Sequence, residues 1–510
     1  MSERLPSREA LLALLGELER LVEQPLALGE LDVEERKRFR MAAGKISSPS
    51  PGERKQLRKA LRSRAKEERR EADERLAAKT GIREARRAPV FATPPRLLPG
   101  EVHKGESTPR PEPDERAAHT EEELFTERKC YVCKRPFSTL HHFYDQMCGA
   151  CGDRNWDKRN QTADLRGRVA VLTGARVKIG YHAGIKLLRA GAHLVATTRF
   201  PRDAAARYAR EPDFAEWKDR LDVIGLDLRH TPSVERFAKE LLERFPRIDY
   251  LVQNACQTVR RPPGFYQHLV DGEALTSPAE HAPLLHAWND MRDRHALAPR
   301  GALSSAGLTA PEALSQVALT EEDRRLADGG LAIFPAGELD ADLQQRDLRG
   351  INSWRLRADE VPTVELLEVQ LVNAVAPFVL AARLRPAMRL PGRDAHVVNV
   401  SAMEGQFYRA FKTDRHPHTN MAKAALNMLT RTSAADYVQD GIHMNSVDTG
   451  WITDEDPVEI AARKTKEHGF HPPLDVVDGA ARILDPIFDG VNTGRHAWGL
   501  FLKDYERTPW

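Results

Sequence analysis

From Arg166 onward, short apolar runs of strand length alternate with longer runs of helical period. The strand-like runs read RVAVLTG, HLVATTR, LDVIGLDL, IDYLVQNA, HVVNVSA and IHMNSVDTGWIT. This alternation predicts an α/β fold, with a parallel, doubly wound sheet and right-handed crossovers. A ligand is then expected at the carboxyl ends of the strands.

Characteristic motifs follow these strands in order. TGARVKIG closes the first strand, ATTRF the second, an Asp-Leu pair the third and QNAC the fourth. Segments 166–256 and 364–455 together resemble the short-chain dehydrogenase/reductase family, a Rossmann-fold group that uses NAD(H) or NADP(H). The resemblance implies cofactor contacts from Thr173, Gly174, Arg176, Lys178, Ile179, Gly180, Thr198, Arg199, Asp227, Leu228, Asn254, Ala255, Lys423, Gly450, Ile452 and Thr453.

Two positions of this cofactor set depart from the commonest family pattern. Lys178 stands where the family has the middle glycine of its loop, so it either repels the pyrophosphate or adds an ammonium contact to it. We expect retained binding, and a degenerate loop that binds nothing is the alternative. Arg199 replaces the acidic residue that holds a ribose 2′-hydroxyl, and with Arg176 it favours NADP(H) over NAD(H).

The catalytic positions are only half matched. The family uses an Asn–Ser–Tyr–Lys set, and Asn373 and Lys423 match its first and last members. Ala402 aligns with the serine, with Ser401 one residue early, and Thr419 stands at the tyrosine. A threonine hydroxyl is a far weaker acid than a phenol, whose pKa is about 10.

Other groups could supply the missing proton donor. Tyr408 lies on the loop before the Lys423 helix, and His416 and His418 titrate naturally near neutrality. An insertion of roughly a hundred residues, at about 257–362, leaves the fourth strand beside the expected substrate site. It is either a lid or a surface excursion, and its polar candidates are Gln344, Gln345, Asp347, Arg349, Asn352 and Trp354.

Four cysteines form a second distinctive pattern. Cys130, Cys133, Cys148 and Cys151 make two C-x2-C pairs separated by 14 residues. Four thiolates at this spacing predict a structural, tetrahedral Zn²⁺ in a ribbon-like module at 122–162, with His141 and His142 as alternative ligands. The fifth cysteine, Cys256, is either a packing residue or a free thiol near the cofactor.

The N-terminal part differs in texture. Residues 1–82 predict helices, and 83–121 a flexible linker rich in Pro, Arg and Glu. The stretch from Arg54 to Arg70 contains nine Lys or Arg residues and only two Glu. This excess of positive charge indicates either a solvated helix face or a surface for nucleic acid or an acidic protein. With a net charge of +2, no signal-like start and no apolar run of membrane length, we expect a cytoplasmic protein with no membrane partner.

Two functions follow from these features. The first is an atypical NADP(H)-dependent oxidoreductase at 163–510, acting on a carbonyl or hydroxyl substrate with a non-standard proton donor; a homo-oligomer is compatible with this function. The second is an inactive NADP(H)-binding sensor or scaffold. It would engage a protein or nucleic-acid partner through the zinc module and the basic helix.

Overall fold

The computed structural model describes residues 6–88, 93, 123–275, 277–296, 301–329, 333–335, 337–340, 343–389, 392–408, 412–453, 455–468 and 471–510. The chain forms two compact units, residues 1–73 and 74–510. Most of the predicted linker at 83–121 lies outside the described residues. Its described start at 83–88 is packed in the larger unit, where the Arg83 Nε donates to Asp145 at 2.5 Å.

The smaller unit is helical, as its sequence predicts. It contains α1 (Arg8–Glu23), α2 (Val33–Ser47) and most of α3 (Pro51–Ala77). Ser7 caps α1, and Asp32 with Glu35 forms a capping box on α2. The end of α3 belongs to the larger unit, so the helical region predicted for 1–82 divides inside that helix.

The cysteine module consists of a hairpin and a helix. Strands β1 (Glu123–Lys129) and β2 (Pro136–Thr139) pair antiparallel, and α5 (Gly149–Asn160) follows α4 (Gly81–Ala85) and the hairpin in chain order. The first cysteine pair lies in the turn between the strands. The second pair lies at the start of α5, where Cys148 is the N-cap and Cys151 is in the first turn.

The larger unit is built on an eight-stranded sheet with the order β10-β9-β8-β7-β6-β3-β4-β5. All neighbouring pairs are parallel except β9 with β10. The strands are β3 (Val169–Thr173), β4 (His193–Thr198), β5 (Leu221–Gly225), β6 (Tyr250–Gln253), β7 (Ala395–Ser401), β8 (Ile442–Asp448), β9 (Phe501–Lys503) and β10 (Glu506–Thr508). The chain order reverses between β3 and β6, which confirms the predicted doubly wound topology and places the ligand crevice there.

Helices cover the sheet as this topology requires. They are α6 (Lys178–Arg189), α7 (Pro201–Ala209), α8 (Phe214–Trp217), α9 (Thr231–Arg244), α15 (Thr363–Gln370), a π-helical turn (Leu371–Val375), α16 (Ala376–Met388), α17 (Pro417–Tyr437), α18 (Val458–His468) and α19 (Val476–Thr493). Strands β5, β7 and β8 are buried along their whole length, as apolar runs between two helical layers must be.

The insertion is mostly helical where it is described. It contains α10 (Gln267–Ala274), α11 (His286–Ala296), α12 (Gly301–Thr309), α13 (Pro311–Leu314) and α14 (Glu321–Gly329). Trp288 packs into the main hydrophobic core, and its indole donates to the Leu308 carbonyl at 2.8 Å. The insertion therefore extends the core beyond β5 and is an integral part of the unit.

One described helical run, Thr363–Met388, is long and apolar enough to cross a membrane by length and composition. Its Ala376, Leu380 and Leu384 lie in the main core, and α16 packs on α9. The run occupies the position of a core helix in this fold.

Candidate functional site

A cavity of about 360 Å³ opens at the carboxyl ends of β3, β4, β5 and β6. Most of the predicted cofactor residues line it: Gly174, Arg176, Lys178, Ile179, Gly180, Thr198, Arg199, Asp227, Leu228, Asn254, Ala255, Ile452 and Thr453. Thr173, Lys423 and Gly450 do not line it. The exposed Cys256 does, so it faces the cavity rather than the core.

The glycine loop is fixed by close packing against the end of β6. A Cβ on Gly180 would lie 2.1 Å from the Gly174 carbonyl oxygen, and one on Gly174 would lie 2.8 Å from the Ala255 Cα. Asn254 donates to the carbonyls of Thr173 and Gly174 at 3.2 Å. The loop therefore keeps the close backbone approach that phosphate binding by main-chain amides needs.

Lys178 occupies its glycine-like position in a strained backbone conformation. Its φ is 51°, in the left-handed region that favours glycine. Its Nζ lies 3.7 Å from a carboxylate oxygen of Glu455, and this charge lowers the Glu455 pKa. The side chain thus bridges the glycine loop and the loop after β8, on the wall of the cavity.

The adenosine end of the cavity is rich in arginine and aromatic side chains. The Arg199 guanidinium lies 4.5 Å from the Tyr266 ring centroid, and no described carboxylate pairs with it. Arg176 donates to Asp203 at 2.8 Å. Burial alone would raise the Tyr266 pKa, but Arg199 and Arg261 lower it.

A network of ion pairs joins this end to the insertion. Arg229 bonds Asp227 at 2.6 Å and Glu368 at 2.9 Å. Glu368 also accepts from Arg260 at 2.9 Å, and Arg260 reaches Asp323 at 2.6 Å. Although burial raises the Asp227 pKa, Arg229 brings it below its ordinary value. The network fixes the start of the insertion over the cavity.

Sequence reasoning missed several cavity residues: Arg229, Arg260, Arg261, Tyr266, Glu368 and Glu455. Most lie in or beside the insertion, where no motif guides an alignment. Of these residues, only Glu455 could have been inferred from the sequence, because it lies two residues after the predicted cofactor residue Thr453. Of the six polar candidates in the insertion, only Gln344 lines the cavity.

The other insertion candidates make structural contacts. Arg349 bonds Asp347, and the Gln345 amide donates to main-chain carbonyls in the insertion. Trp354 stacks on His416 with centroids 3.8 Å apart, and Asn352 donates to the Glu455 carbonyl at 2.9 Å. The last part of the insertion thus contacts both the start of α17 and the loop after β8.

The predicted catalytic residues are engaged with their own chain. Lys423 Nζ donates to the Val400 carbonyl at 2.7 Å, and the Thr419 hydroxyl donates to the His416 carbonyl at 2.8 Å. The Asn373 amide makes both of its bonds to the backbone of Gln257, at 2.8 and 3.2 Å. Asn373 thereby anchors the chain where the insertion leaves β6.

The remaining proton-donor candidates differ in environment. Tyr408 is 86% exposed, and Ser401 is buried with no described hydrogen-bond partner for its hydroxyl. His418 is buried, with Nε2 3.4 Å from Glu365. His416 Nδ1 lies 3.2 Å from the Thr419 Oγ1, and burial lowers the His416 pKa to about 4.

The predicted cofactor residues that follow β8 differ in their surroundings. Thr453 Oγ1 donates to Glu455 at 2.7 Å, which leaves its lone pairs to accept a bond from a ligand N–H group. Gly450, with φ of 80°, instead packs on the cysteine module. A Cβ there would lie 1.9 Å from Arg482 and 3.1 Å from the Tyr131 hydroxyl oxygen.

The four cysteines of the module converge. Their sulfur atoms lie within 4.8 Å of one another, with Cys133 and Cys148 sulfurs 3.7 Å apart. Sulfurs around a tetrahedral ion with bonds of about 2.3 Å are about 3.8 Å apart, so the set fits zinc. His141 turns Nδ1 to the amides of Phe143 and Tyr144, as a packing residue would.

This module packs against the loop after β8, against α19 and against α6. The Trp451 amide donates to the Tyr131 hydroxyl at 3.0 Å, and the Tyr144 hydroxyl donates to Asp478 at 2.6 Å. Arg159 reaches Asp478 at 2.8 Å, and its own carbonyl accepts from Lys186 of α6. A shared apolar core joins them: Leu76, Ala77, Ile82, Leu124, Cys130, Phe137, Leu140, Phe143, Tyr144, Met147, Ile452, Leu474, Val476 and Val477.

The comparisons with known proteins agree with this architecture. Residues 168–268 match the family model for short chain dehydrogenase, and residues 351–471 match that for Enoyl-(Acyl carrier protein) reductase. The two matches leave residues 269–350, the middle of the insertion, unmatched. The chain belongs to the short-chain dehydrogenase/reductase family, as its motifs predict.

Individual relatives cover different shares of the chain. An uncharacterised protein of Acanthamoeba polyphaga mimivirus is 32% identical over 377 residues, which is 71% of each chain. A short-chain dehydrogenase/reductase of Colletotrichum higginsianum is 33% identical over 143 residues, 27% of this chain and 34% of its own. A solved Pseudomonas aeruginosa RhlG/NADP complex is 17% identical, covers 67% of this chain and 95% of its own, and has a TM-score of 0.40.

Proposed function

We propose that this protein is an NADP(H)-dependent oxidoreductase that interconverts a carbonyl and a hydroxyl group. The observation that carries the proposal is the Arg199 guanidinium directly after β4, which lines the cavity, makes no described ion pair and lies near enough to Asp227 to lower the pKa of that carboxyl group. An anion bound in the cavity would neutralise the positive charge of Arg199. The 2′-phosphate of NADP(H) is such an anion, and NAD(H) lacks it.

The environment of Arg199 supports a phosphate rather than a hydroxyl. The Arg199 guanidinium lies over the Tyr266 ring, 4.5 Å from its centroid, and this contact restrains its position beside the cavity. Arg176 and Arg261 lie close enough to lower the pKa of the same tyrosine. Of these three arginines, Arg176 pairs with Asp203 and Arg261 with Asp347, whereas Arg199 makes no described ion pair and is the group we propose to bind the phosphate.

The other end of the site supplies contacts for a nicotinamide. One ammonium proton of Lys423 is used by Val400, so two remain for a ribose hydroxyl. Thr453 accepts a bond from the carboxamide N–H group. When bound, the cofactor supplies hydride transfer to or from the substrate carbon.

We propose that the Thr419–His416 pair handles the proton. Thr419 holds the family's tyrosine position, and His416 Nδ1 lies beside its hydroxyl. A histidine with a pKa of about 4 is neutral at pH 7, so it is a weak base whose ring nitrogen is free to accept a proton. At that pH only about one molecule in a thousand carries this proton, so His416 is present in the unprotonated form that alcohol oxidation needs as a proton acceptor.

We also propose that the four cysteines hold one Zn²⁺ with a structural role, because four protein ligands close its coordination shell. The basic stretch of α3, whose described side chains are exposed, is proposed as a surface for an acidic partner in the cytoplasm. A gel shift with RNA, DNA and an acidic peptide, repeated at rising salt, tests that surface. Equal affinity after neutralising Arg54–Arg70 would reject it.

Cofactor binding tests the main proposal. Titration of the full chain with NADPH and NADH should show tighter binding of NADPH. Arg199→Ala should weaken NADPH binding roughly 10- to 100-fold and leave NADH unchanged, because a charge-assisted contact is lost. Arg210→Ala, an exposed arginine at the end of α7, is the matched control. Equal affinity of the native chain for both cofactors would refute the NADP(H) assignment.

Turnover separates the enzyme from an inactive scaffold. The purified chain with NADP⁺ and a panel of primary, secondary and cyclic alcohols should produce NADPH absorbance for at least one alcohol. That signal should vanish in Lys423→Met. Tight NADPH binding with no turnover on any member of the panel, in either direction, would favour the scaffold.

A further inference from the structure

A second group of metal-binding side chains lies at the opposite end of the sheet. Asp394 immediately precedes β7, His443 is the second residue of β8, and His496 follows α19. Because β7 and β8 are parallel, their amino ends share one edge of the sheet, away from the cavity at the carboxyl ends. The cofactor site therefore does not use this cluster.

The two imidazoles converge on the carboxylate. His443 Nε2 lies 2.7 Å from Asp394 Oδ1, and His496 Nε2 lies 3.2 Å from Asp394 Oδ2. The two rings stack with centroids 4.7 Å apart and an interplanar angle of 19°. The three ligand atoms all lie within 4.8 Å of one another.

We propose that Asp394, His443 and His496 bind a divalent ion of the zinc class. Two imidazole nitrogens and one carboxylate oxygen are ligands that suit Zn²⁺ and its neighbours Co²⁺, Ni²⁺ and Cu²⁺. Ligand atoms about 2.0–2.1 Å from a tetrahedral ion are about 3.3 Å apart. The His496–Asp394 distance fits, and the His443–Asp394 pair needs to open by about half an ångström.

A third histidine orients the site from behind. His396 Nε2 lies 2.9 Å from His496 Nδ1. At this distance His396 Nε2 can accept a hydrogen bond from the His496 Nδ1–H group. Metal-bound histidines usually donate their second ring N–H in this way, which turns Nε2 toward the ion.

Exposure indicates an open site. The side chains of His443 and His496 are 10% and 12% exposed, whereas Asp394 is 48% exposed. The imidazoles are thus fixed and the carboxylate side faces solvent, which leaves room for water as a fourth ligand. The nearby Arg168 opposes a cation, but its guanidinium donates to Asp249 at 2.9 Å. The ion would tie β7, β8 and the segment after α19 together.

Cobalt binding to the zinc-loaded full chain tests the proposal. After the cysteine cluster is filled with one equivalent of Zn²⁺, Co²⁺ should bind as one further equivalent. Its spectrum should lack thiolate-to-cobalt charge-transfer absorption, since this site has no sulfur. Binding of no second equivalent, or only of cobalt with thiolate absorption, would overturn the proposal.

Matched variants assign the ligands. His496→Ala and Asp394→Asn should each weaken Co²⁺ binding at least tenfold. His286→Ala is the control, because His286 also pairs with an aspartate, Asp290, but is 72% exposed. Asp394→Asn keeps the side-chain shape on a half-exposed residue, so its circular dichroism should be native. Unchanged cobalt affinity in this folded variant would overturn the assignment.

Discussion

The two ends of the candidate site differ in how their functional groups are engaged. At the adenosine end, Arg199 and Lys178 line the cavity, and Arg199 has no described carboxylate partner. At the nicotinamide end, Lys423, Thr419 and Asn373 all bond the protein's own main chain. The difference is that groups suited to holding a cofactor line the cavity, whereas Ala402 and Thr419 stand at the family's serine and tyrosine positions.

The cysteine module contacts elements at both ends of the candidate site. It packs on the loop after β8, where the Trp451 amide donates to the Tyr131 hydroxyl, and on α6, where Lys186 donates to the Arg159 carbonyl. We expect Cys151→Ala to reduce zinc content from one per chain to near zero. The free energy of zinc binding in small modules is about 10–16 kcal/mol, so the module should lose its fold. NADPH affinity should fall at least tenfold with it.

Zinc content by elemental analysis and NADPH affinity by titration measure the two effects. The exposed Cys256→Ala is the matched cysteine control for zinc content, which should stay at one per chain. Full NADPH affinity in a zinc-free Cys151→Ala protein would show that the module does not support the cofactor site.

The Thr419→Val variant changes only the nicotinamide end of the candidate site. It removes the hydroxyl beside His416 and keeps the side-chain volume, so we expect kcat for alcohol oxidation to fall about 10²- to 10⁴-fold. NADPH affinity should change less than threefold. Thr430→Val, further along the same helix, is a structural comparison. Equal kcat in the native and Thr419→Val proteins would show that another group transfers the proton.

The pH dependence of alcohol oxidation tests whether His416 is the proton acceptor. His416 must be unprotonated to accept a proton, and burial lowers its pKa to about 4. The rate should therefore be constant from neutral pH down to about 5 and fall as pH drops through 4. His416→Asn should lower the rate and remove this acid limb. An acid limb that persists in His416→Asn would belong to a different group.

Lys178→Gly tests the adenosine end in the opposite direction. Glycine adopts the left-handed backbone without strain, which is worth about 1–2 kcal/mol, so thermal stability should rise. If the ammonium contacts the phosphates, NADPH affinity should fall about tenfold despite this gain. Tighter NADPH binding in the glycine variant would instead mean that Lys178 repels the pyrophosphate.

The smallest effect is expected for Tyr131→Phe. The variant loses the bond that the Tyr131 hydroxyl accepts from the Trp451 amide, a loss of about 1 kcal/mol. NADPH affinity should fall two- to fivefold while zinc content stays at one per chain. A larger loss would show that Tyr131 does more than support the loop.

The sequence alone determined the alternation of strands and helices that specifies a parallel, doubly wound sheet, the glycine loop, the basic residue after β4 and the four-cysteine cluster. These features depend on short-range spacing: strand and helix periods, C-x2-C pairs and residues that directly follow a strand. Local geometry constrains such residues, so a linear pattern carries the information. The place of Thr419 in the active-site helix was visible in the same way.

Only the tertiary structure decided the rest. Tyr266 and Glu368 reach the cavity from an insertion and from α15, and no motif spacing connects them to β4. Tyr131 meets Trp451 across 320 residues, and Asp394, His443 and His496 come from three separate segments. Such contacts arise from how strands order in a sheet and how modules pack on it, which side-chain spacing along the chain does not encode.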